Sequence, residues 1–367
     1  MSNNNDNSIR SYYDILVSNL NSTALTSYNT LTFSEVKDSS NAFVNKASDY
    51  LFSITRFSLE TNSLPVFFCD IQANQADINL STFSVSLEYN GEIVQTYLEY
   101  IPQDKTASLP QSPNLNLNGI QTFCDYYYVY NYEYFIYLIN NTLKTCFNNL
   151  ASLTNLPTTQ IPYLKWNSSN IASLITDNAG FNDTTNDYIK LYFNNALFNM
   201  FQSFCSYTIN SISPNGLIYQ ISPSCYGIAE KTTIDNITYL ICNQEWSTIS
   251  IMNPIISILF LSNTLPIKAE QIGAPLIFLN DYQYQSTNNK NIAGIISDFQ
   301  ANDSYKPYIL YQPTVLRYIE LTGDSPICKF DISCFWKNRL GQLIPLKLNP
   351  NCSFSMKVAF SRIFTQN

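Results

Sequence analysis

The sharpest pattern in the chain is the alternation of apolar and polar residues. In the stretch 83–89 (FSVSLEY), Phe83, Val85 and Leu87 alternate with polar positions, Asn90-Gly91 follows, and 92–101 takes the alternation up again. Successive side chains of a strand point to opposite faces, and Asn-Gly readily supplies the two positive-φ residues of a type I′ turn. The pattern predicts a hairpin in which Phe83, Val85 and Leu87 share an apolar face with Leu98, Thr96 and Val94. Two further strands are predicted near the carboxyl end. In 328–336 (CKFDISCFW) the even positions are apolar or cysteine, and Lys329, Asp331 and Ser333 lie between them. Phe354, Met356, Val358 and Phe360 alternate likewise, with Lys357 outward, and Arg339-Leu340-Gly341 supplies a turn between Trp336 and a strand around Leu346.

A second periodicity appears once. Phe135, Leu138, Ile139, Thr142, Cys146, Leu150 and Leu153 recur at three- and four-residue spacings, the stripe of an amphipathic helix from about 132 to 153. Elsewhere short aromatic and β-branched runs bounded by turn residues predict strands: 50–59, 65–71, 186–193, 217–221, 237–242, 249–252, 255–261, 276–279, 292–296, 308–312 and 316–321, with a short helix over 194–204. Such spacing indicates β-sandwich architecture. The expected fold is mainly β, a jelly-roll sandwich of one or two jelly rolls, including a compact double jelly roll, with a few inserted helices. Residues 1–47 read as an extended arm, 48–205 as a first β-rich module carrying the helix, and 206–367 as a second sandwich. The proline-bearing stretch 102–119 reads as a long loop of functional or interfacial character.

Composition narrows the chemistry more than it names it. The chain of 367 residues has 45 asparagines but only 13% charged residues, so neutral amides carry its solubility. There is no histidine. Ser-His-Asp and Cys-His nucleophiles, His-ligated zinc, facial-triad iron and His-ligated haem are thereby excluded. Nine cysteines, an odd number without C-x-x-C, predict unpaired thiols in a reducing compartment and no cysteine zinc site. Glycine-rich phosphate loops and D-x-D-x-D-G calcium loops are missing, so neither cofactor nor small-molecule substrate is expected. The longest apolar run, 255–261, is too short for a transmembrane span, and no secretory leader is expected in the first residues.

Charge is uneven. Residues 305–367 hold eight Lys/Arg against three Asp/Glu, whereas the rest holds eleven against twenty-four. Lys347 and Arg362, beside the last strand, are therefore candidates for an assembly surface that meets acidic neighbours. The first 47 residues carry only Arg10, Lys37 and Lys46 as cations, so nucleic-acid contact, although left open, finds no support in that arm. The tyrosine run Tyr126, Tyr127, Tyr128, Tyr130 and Tyr132 suits core packing, a protein interface or ring stacking, since tyrosine joins a large apolar ring to a polar tip. Glu245-Trp246 is the one pair with a glycosidase flavour, but no second acid stands opposite it in the pattern.

Three groups of segments carry a resemblance: 48–58 (SDYLFSITRFS) with 64–68 (LPVFF); 127–140 (YYVYNYEYFIYLIN); and 316–326 (LRYIELTGDSP) with 335–345 (FWKNRLGQLIP). Together they resemble virion structural proteins of small eukaryotic DNA viruses of the virophage and polinton-like kind. The resemblance implies a jelly-roll capsid protein without catalytic residues, either a major capsid or a penton or minor capsid component of an icosahedral shell. It further implies a homo-oligomer, trimer or pentamer, that meets other capsid proteins in the virion after assembly in the host cytoplasm or nucleus. A carbohydrate- or receptor-binding sandwich, a spike or adhesin with Tyr and Trp as stacking residues, is the competing expectation.

Overall fold

The computed structural model describes residues 10–20, 29–103, 125–213, 216–267, 276–279, 283–286, 294–301, 306–339 and 341–363. The chain divides into two units. The first joins Met1–Leu64 to Pro254–Asn367, and the second is the intervening Pro65–Asn253.

In unit 1 the strands before the insertion are β1 (Arg10–Ser18), β2 (Thr32–Val36) and β3 (Tyr50–Glu60). Unit 2 holds β4 (Leu80–Tyr89), β5 (Glu92–Glu99), β6 (Tyr163–Trp166), β7 (Ala172–Asp177), β8 (Lys190–Asn194), β9 (Ser206–Ser213), β10 (Gly216–Ile221), β11 (Glu230–Ile234) and β12 (Ile237–Asn243). Its helices are α1 (Tyr132–Leu153), α2 (Asn178–Phe181), α3 (Asn195–Met200) and α4 (Ile249–Met252). Unit 1 resumes with β13 (Ile255–Ser262), β14 (Leu276–Leu279), β15 (Gln283–Ser286), β16 (Gly294–Gln300), β17 (Tyr308–Tyr311), β18 (Lys329–Asn338), β19 (Gln342–Pro345) and β20 (Ser353–Arg362).

Unit 1 is a sandwich whose strand order defines it. One sheet runs β1-β20-β3-β17, and in the other β2 pairs with β18, followed by β13 and β16, while β19, β14 and β15 extend the far side of β18. With β1, β2, β3, β13, β16, β17, β18 and β20 counted in chain order, the two sheets read first-eighth-third-sixth and second-seventh-fourth-fifth. That is the order of an eight-stranded jelly roll, two Greek keys wrapped on each other. The β19, β14 and β15 strands are additions to it. Aromatic rings fill the interior: Phe57 of β3 lies 5.1 Å from Phe260 of β13, and Phe360 of β20 lies 6.0 Å from Phe330 of β18. Phe43 meets Phe330 at 4.7 Å. The first two contacts cross from one sheet to the other, Phe43 adds a ring from the β2–β3 connection, and together they make a single core, since each buried ring contributes roughly 1.5–3 kcal/mol.

Unit 2 has a different plan. Its five-stranded sheet runs β9-β10-β8-β4-β5 and its four-stranded sheet β11-β12-β7-β6, an order that does not repeat the jelly roll. The β4–β5 hairpin turns at Asn90 and Gly91, with φ of +53° and +82°, and sets Val85 opposite Thr96 and Leu87 opposite Val94. Helix α1 covers β4, β5 and β6. Asn131 caps it by accepting from the Glu133 N–H at 2.8 Å, with the Glu133 carboxylate favourably placed in the first turn. Its stripe Phe135, Leu138, Ile139, Thr142, Cys146 and Leu150 is buried, and Phe135 stacks on Phe67 at 4.0 Å.

Several expectations are corrected. The fold has one jelly roll, interrupted between its third and fourth strands, and not two consecutive sandwiches. The boundaries expected at 47 and 205 do not match the units: β1 and β2 belong to the sandwich, and residue 205 falls inside unit 2. The arm reading missed β1 because only Ile15 of that strand is buried, which leaves its nine pairings with β20 to fix it. Residues 249–252 form α4 and not a strand, since Thr248 accepts at its carbonyl from the Ile251 and Met252 N–H groups and closes a helical turn. The 65–71 run is a strand only over Phe67–Phe68, with a single bridge from Ile71 to Ser81, and Leu153 ends the stripe exposed. The proline-bearing loop lies almost wholly in 104–124, outside the described residues. No helix among the described residues is long and apolar enough to cross a membrane.

Candidate assembly surfaces and a cysteine cluster

The tyrosine run lies in the interior of unit 2. Tyr127 is buried and its hydroxyl donates to the Ile78 carbonyl at 2.7 Å. Tyr128 is buried beside Phe68, ring centres 5.8 Å apart. Tyr126 is half-buried between Tyr127 and Tyr100, at 5.0 and 6.0 Å, and Tyr132 stacks on Trp166 at 5.4 Å with the rings nearly parallel. The Tyr100 hydroxyl is within 2.8 and 3.0 Å of the Tyr126 and Tyr128 carbonyls. Burial raises the pKa of Tyr100 and Tyr132. Rings buried in their own unit offer no partner surface, so Tyr127 and Tyr128 are core residues; Tyr130, half-buried, keeps an accessible edge. The sequence left core packing, interface and ring stacking all open, because a tyrosine-rich stretch looks the same whether its hydroxyls face water or backbone carbonyls.

The two cations near the last strand are also separated. Lys347 is half-buried in a two-residue pairing with Asn29–Thr30, a few residues before β20, whereas Arg362 is exposed at the other end of β20. A ten-residue strand spans about 30 Å, so they cannot form one basic patch. The outer face of the β1-β20-β3 sheet carries its own charge group: Asp14 pairs with Arg56 at 3.4 Å and with Lys357 at 3.3 Å. Tyr12 and Leu16 flank it on β1, 51% and 71% exposed. Glu245 and Trp246 are exposed after β12, tied to Ser203: the Glu245 N–H donates to the Ser203 carbonyl at 3.0 Å and the Ser203 hydroxyl donates to the Trp246 carbonyl at 2.6 Å.

Cysteine placement departs most from expectation. Cys205 and Cys225 form a disulfide with Cα atoms 5.4 Å apart, against the expectation that all thiols are unpaired. Cys242 of β12 brings a third sulfur, and all three lie within 4.8 Å of one another. Cys225 sits at φ +48° in a tight turn over 222–229, followed by Tyr226 at +57° and Gly227 at +91°. Asp183 fixes that turn, accepting from the Ser222 hydroxyl at 2.5 Å and the Ser224 N–H at 3.1 Å. Burial, with a further contribution from Asp183, pushes the Cys242 thiol up to about 12. Cys69, Cys146, Cys334 and Cys352 are buried singly and Cys328 is half-buried, as small apolar side chains elsewhere.

A jelly roll closed over an aromatic core is the architecture of many viral coat proteins. The particular family follows from comparison with known sequences: the chain belongs to the Sputnik minor capsid protein V18/19 family, which it matches over residues 11–362. Uncharacterized protein V18 of the Sputnik virophage is 30% identical over 113 residues, 30% of this chain and 67% of that protein. Among solved structures, a chain of the Sputnik virophage determined by cryo-EM superposes with a TM-score of 0.75 at 24% identity, covering 96% of this chain and 98% of the other. The mavirus penton protein superposes with a TM-score of 0.61 at 15% identity, covering 96% and 99%. The protein is a capsid structural component of a virophage-type virion, and it associates there with other capsid proteins.

Proposed function

We propose that the chain is the vertex subunit of its capsid, a homopentamer with no catalytic step of its own. The observation that carries this is topological: one jelly roll, with unit 2 inserted between its third and fourth strands. Two jelly rolls in one chain suit a pseudo-hexameric trimer; one suits a fivefold ring, where each sandwich meets two neighbours by the same heterologous contact. The likeness of fold to the mavirus penton protein supports the same position. The outer face of β1, with Tyr12 and Leu16 exposed beside Asp14, is the apolar strip we assign to that contact.

Native mass spectrometry of the purified protein tests the assignment. A species of five times 41.9 kDa is expected. A trimer, or a monomer that persists at micromolar concentration, overturns it. Tyr12→Glu with Leu16→Glu should give folded monomer, and an undiminished pentamer from that variant removes β1 from the interface.

A further inference from the structure

We propose that Cys205, Cys225 and Cys242 form a reduction-gated zinc site: a disulfide plus one thiol when oxidised, three thiolate ligands for one Zn²⁺ when reduced.

The three residues come from separate elements of unit 2: the segment before β9, the 222–229 turn and β12. Their sulfurs nevertheless converge within 4.8 Å. A disulfide requires two of them and leaves the third unexplained. In tetrahedral coordination with Zn–S near 2.3 Å, neighbouring sulfurs sit about 3.8 Å apart, which is the scale of this cluster once the Cys205–Cys225 bond is open. No other such group of cysteines or carboxylates forms among the described residues, where the remaining cysteines stand singly.

The surroundings are those of a built site. Cys225 and Tyr226 both hold positive φ, a cost that non-glycine residues bear only where the structure fixes them, and four backbone bonds over 222–229 do so. The Ser222 N–H donates to the Cys205 carbonyl at 2.9 Å, tying the turn to the first ligand. Asp183 orients the turn through Ser222 and Ser224, the outer-shell role that carboxylates play around metal ligands. Cys242 is fully buried and Cys225 only partly, so the fourth coordination position opens toward solvent on the Cys225 side and takes a water. Thiolate sulfur selects zinc over the hard cations magnesium and calcium.

The two states interconvert with balanced chemistry. Two molecules of a monothiol reductant give two electrons and two protons to the Cys205–Cys225 bond and leave as their own disulfide. Zinc then forms three Zn–S bonds and displaces three protons to solvent.

The test uses the full chain, reduced with a phosphine, exposed to zinc sulfate, desalted and assayed by inductively coupled plasma mass spectrometry. About one zinc per chain is expected from the reduced protein and under a tenth of that from protein oxidised before exposure. Cys242→Ser should lower occupancy at least tenfold, while Cys69→Ser leaves it unchanged. Cobalt titration of the reduced wild type needs no variant and should give thiolate-to-cobalt charge-transfer and tetrahedral d–d bands. Reduced wild type that holds less than a tenth of a zinc and gives no such bands overturns the proposal, as does zinc retained in full by Cys242→Ser.

Discussion

Phe360→Ala probes the jelly-roll core where its two sheets meet. The side chain is fully buried on β20, with ring centres 5.1 Å from Phe52, 5.8 Å from Tyr13 and 6.0 Å from Phe330. Phe52 and Tyr13 lie on the same sheet, Phe330 on the other, so no single rotamer change refills the space. A buried phenylalanine ring removes about 150 Å² or more of apolar surface from water, worth about 4 kcal/mol, and measured Phe→Ala losses of about 3–5 kcal/mol include the cavity left behind. Set against a domain's net stability of about 5–15 kcal/mol, that is a large fraction. Urea unfolding followed by Trp336 fluorescence reads unit 1 alone once Trp166 and Trp246, both in unit 2, are replaced by Phe. The midpoint of thermal unfolding should fall by roughly 6–20 °C. Phe360→Leu, which restores most of the volume, should cost under about 1.5 kcal/mol, and Val36→Ala, exposed on β2, under about 0.5 kcal/mol. A loss below about 1 kcal/mol for Phe360→Ala would show that the two sheets do not share one packed core.

Asp331→Asn should destabilise unit 1 near pH 7 by about 1 kcal/mol or more. Burial works against the Asp331 carboxylate, but bonds from the Thr264 and Ser262 hydroxyls and the Thr264 and Asn263 N–H groups, 2.6–3.0 Å long, outweigh it and hold its pKa below the ordinary value. A depressed folded pKa contributes stability above the unfolded value near 3.9 that is lost as pH falls through the folded one, so the gap between variant and wild type should close below about pH 4 in urea melts. A gap that widens in acid contradicts that sign. Gly91→Ala should cost about 1 kcal/mol by denaturant titration: a Cβ there meets nothing within 4 Å, so only the +82° backbone is penalised. Arg362→Glu should keep the circular dichroism and melting of the wild type, since exposed charges contribute little, while weakening association at low salt more than at high salt. Salt-independent weakening would refute an electrostatic contribution from the Arg362 end of β20.

The residue pattern by itself determined what depends on neighbours in sequence. The β4–β5 hairpin follows from alternation around Asn90-Gly91, α1 from a stripe of three- and four-residue spacings, and the inward face of β20 from Phe354, Met356, Val358 and Phe360. Each is a local rule, because side-chain periodicity and turn chemistry act over a few residues. The missing histidine removed whole classes of catalysis in the same way, by composition alone.

Only the tertiary structure decided the rest. Strand order pairs Arg10 with Ser361 and Tyr50 with Arg362, separations of more than 300 residues that no local pattern encodes, and it turned two expected sandwiches into one jelly roll with an insertion. β1 turns Tyr13, Ile15 and Val17 toward the core, but its pairing with β20 fixes its place. Tyr127 is buried with its hydroxyl on the Ile78 carbonyl, an acceptor 49 residues away in sequence. Cys205, Cys225 and Cys242 have no motif spacing, which is why the sequence spoke against both pairing and zinc; a turn held at positive φ brings their sulfurs together. Long-range contacts form only after the chain has paid the entropy of closing large loops, and which contacts repay it is a property of the whole packed fold.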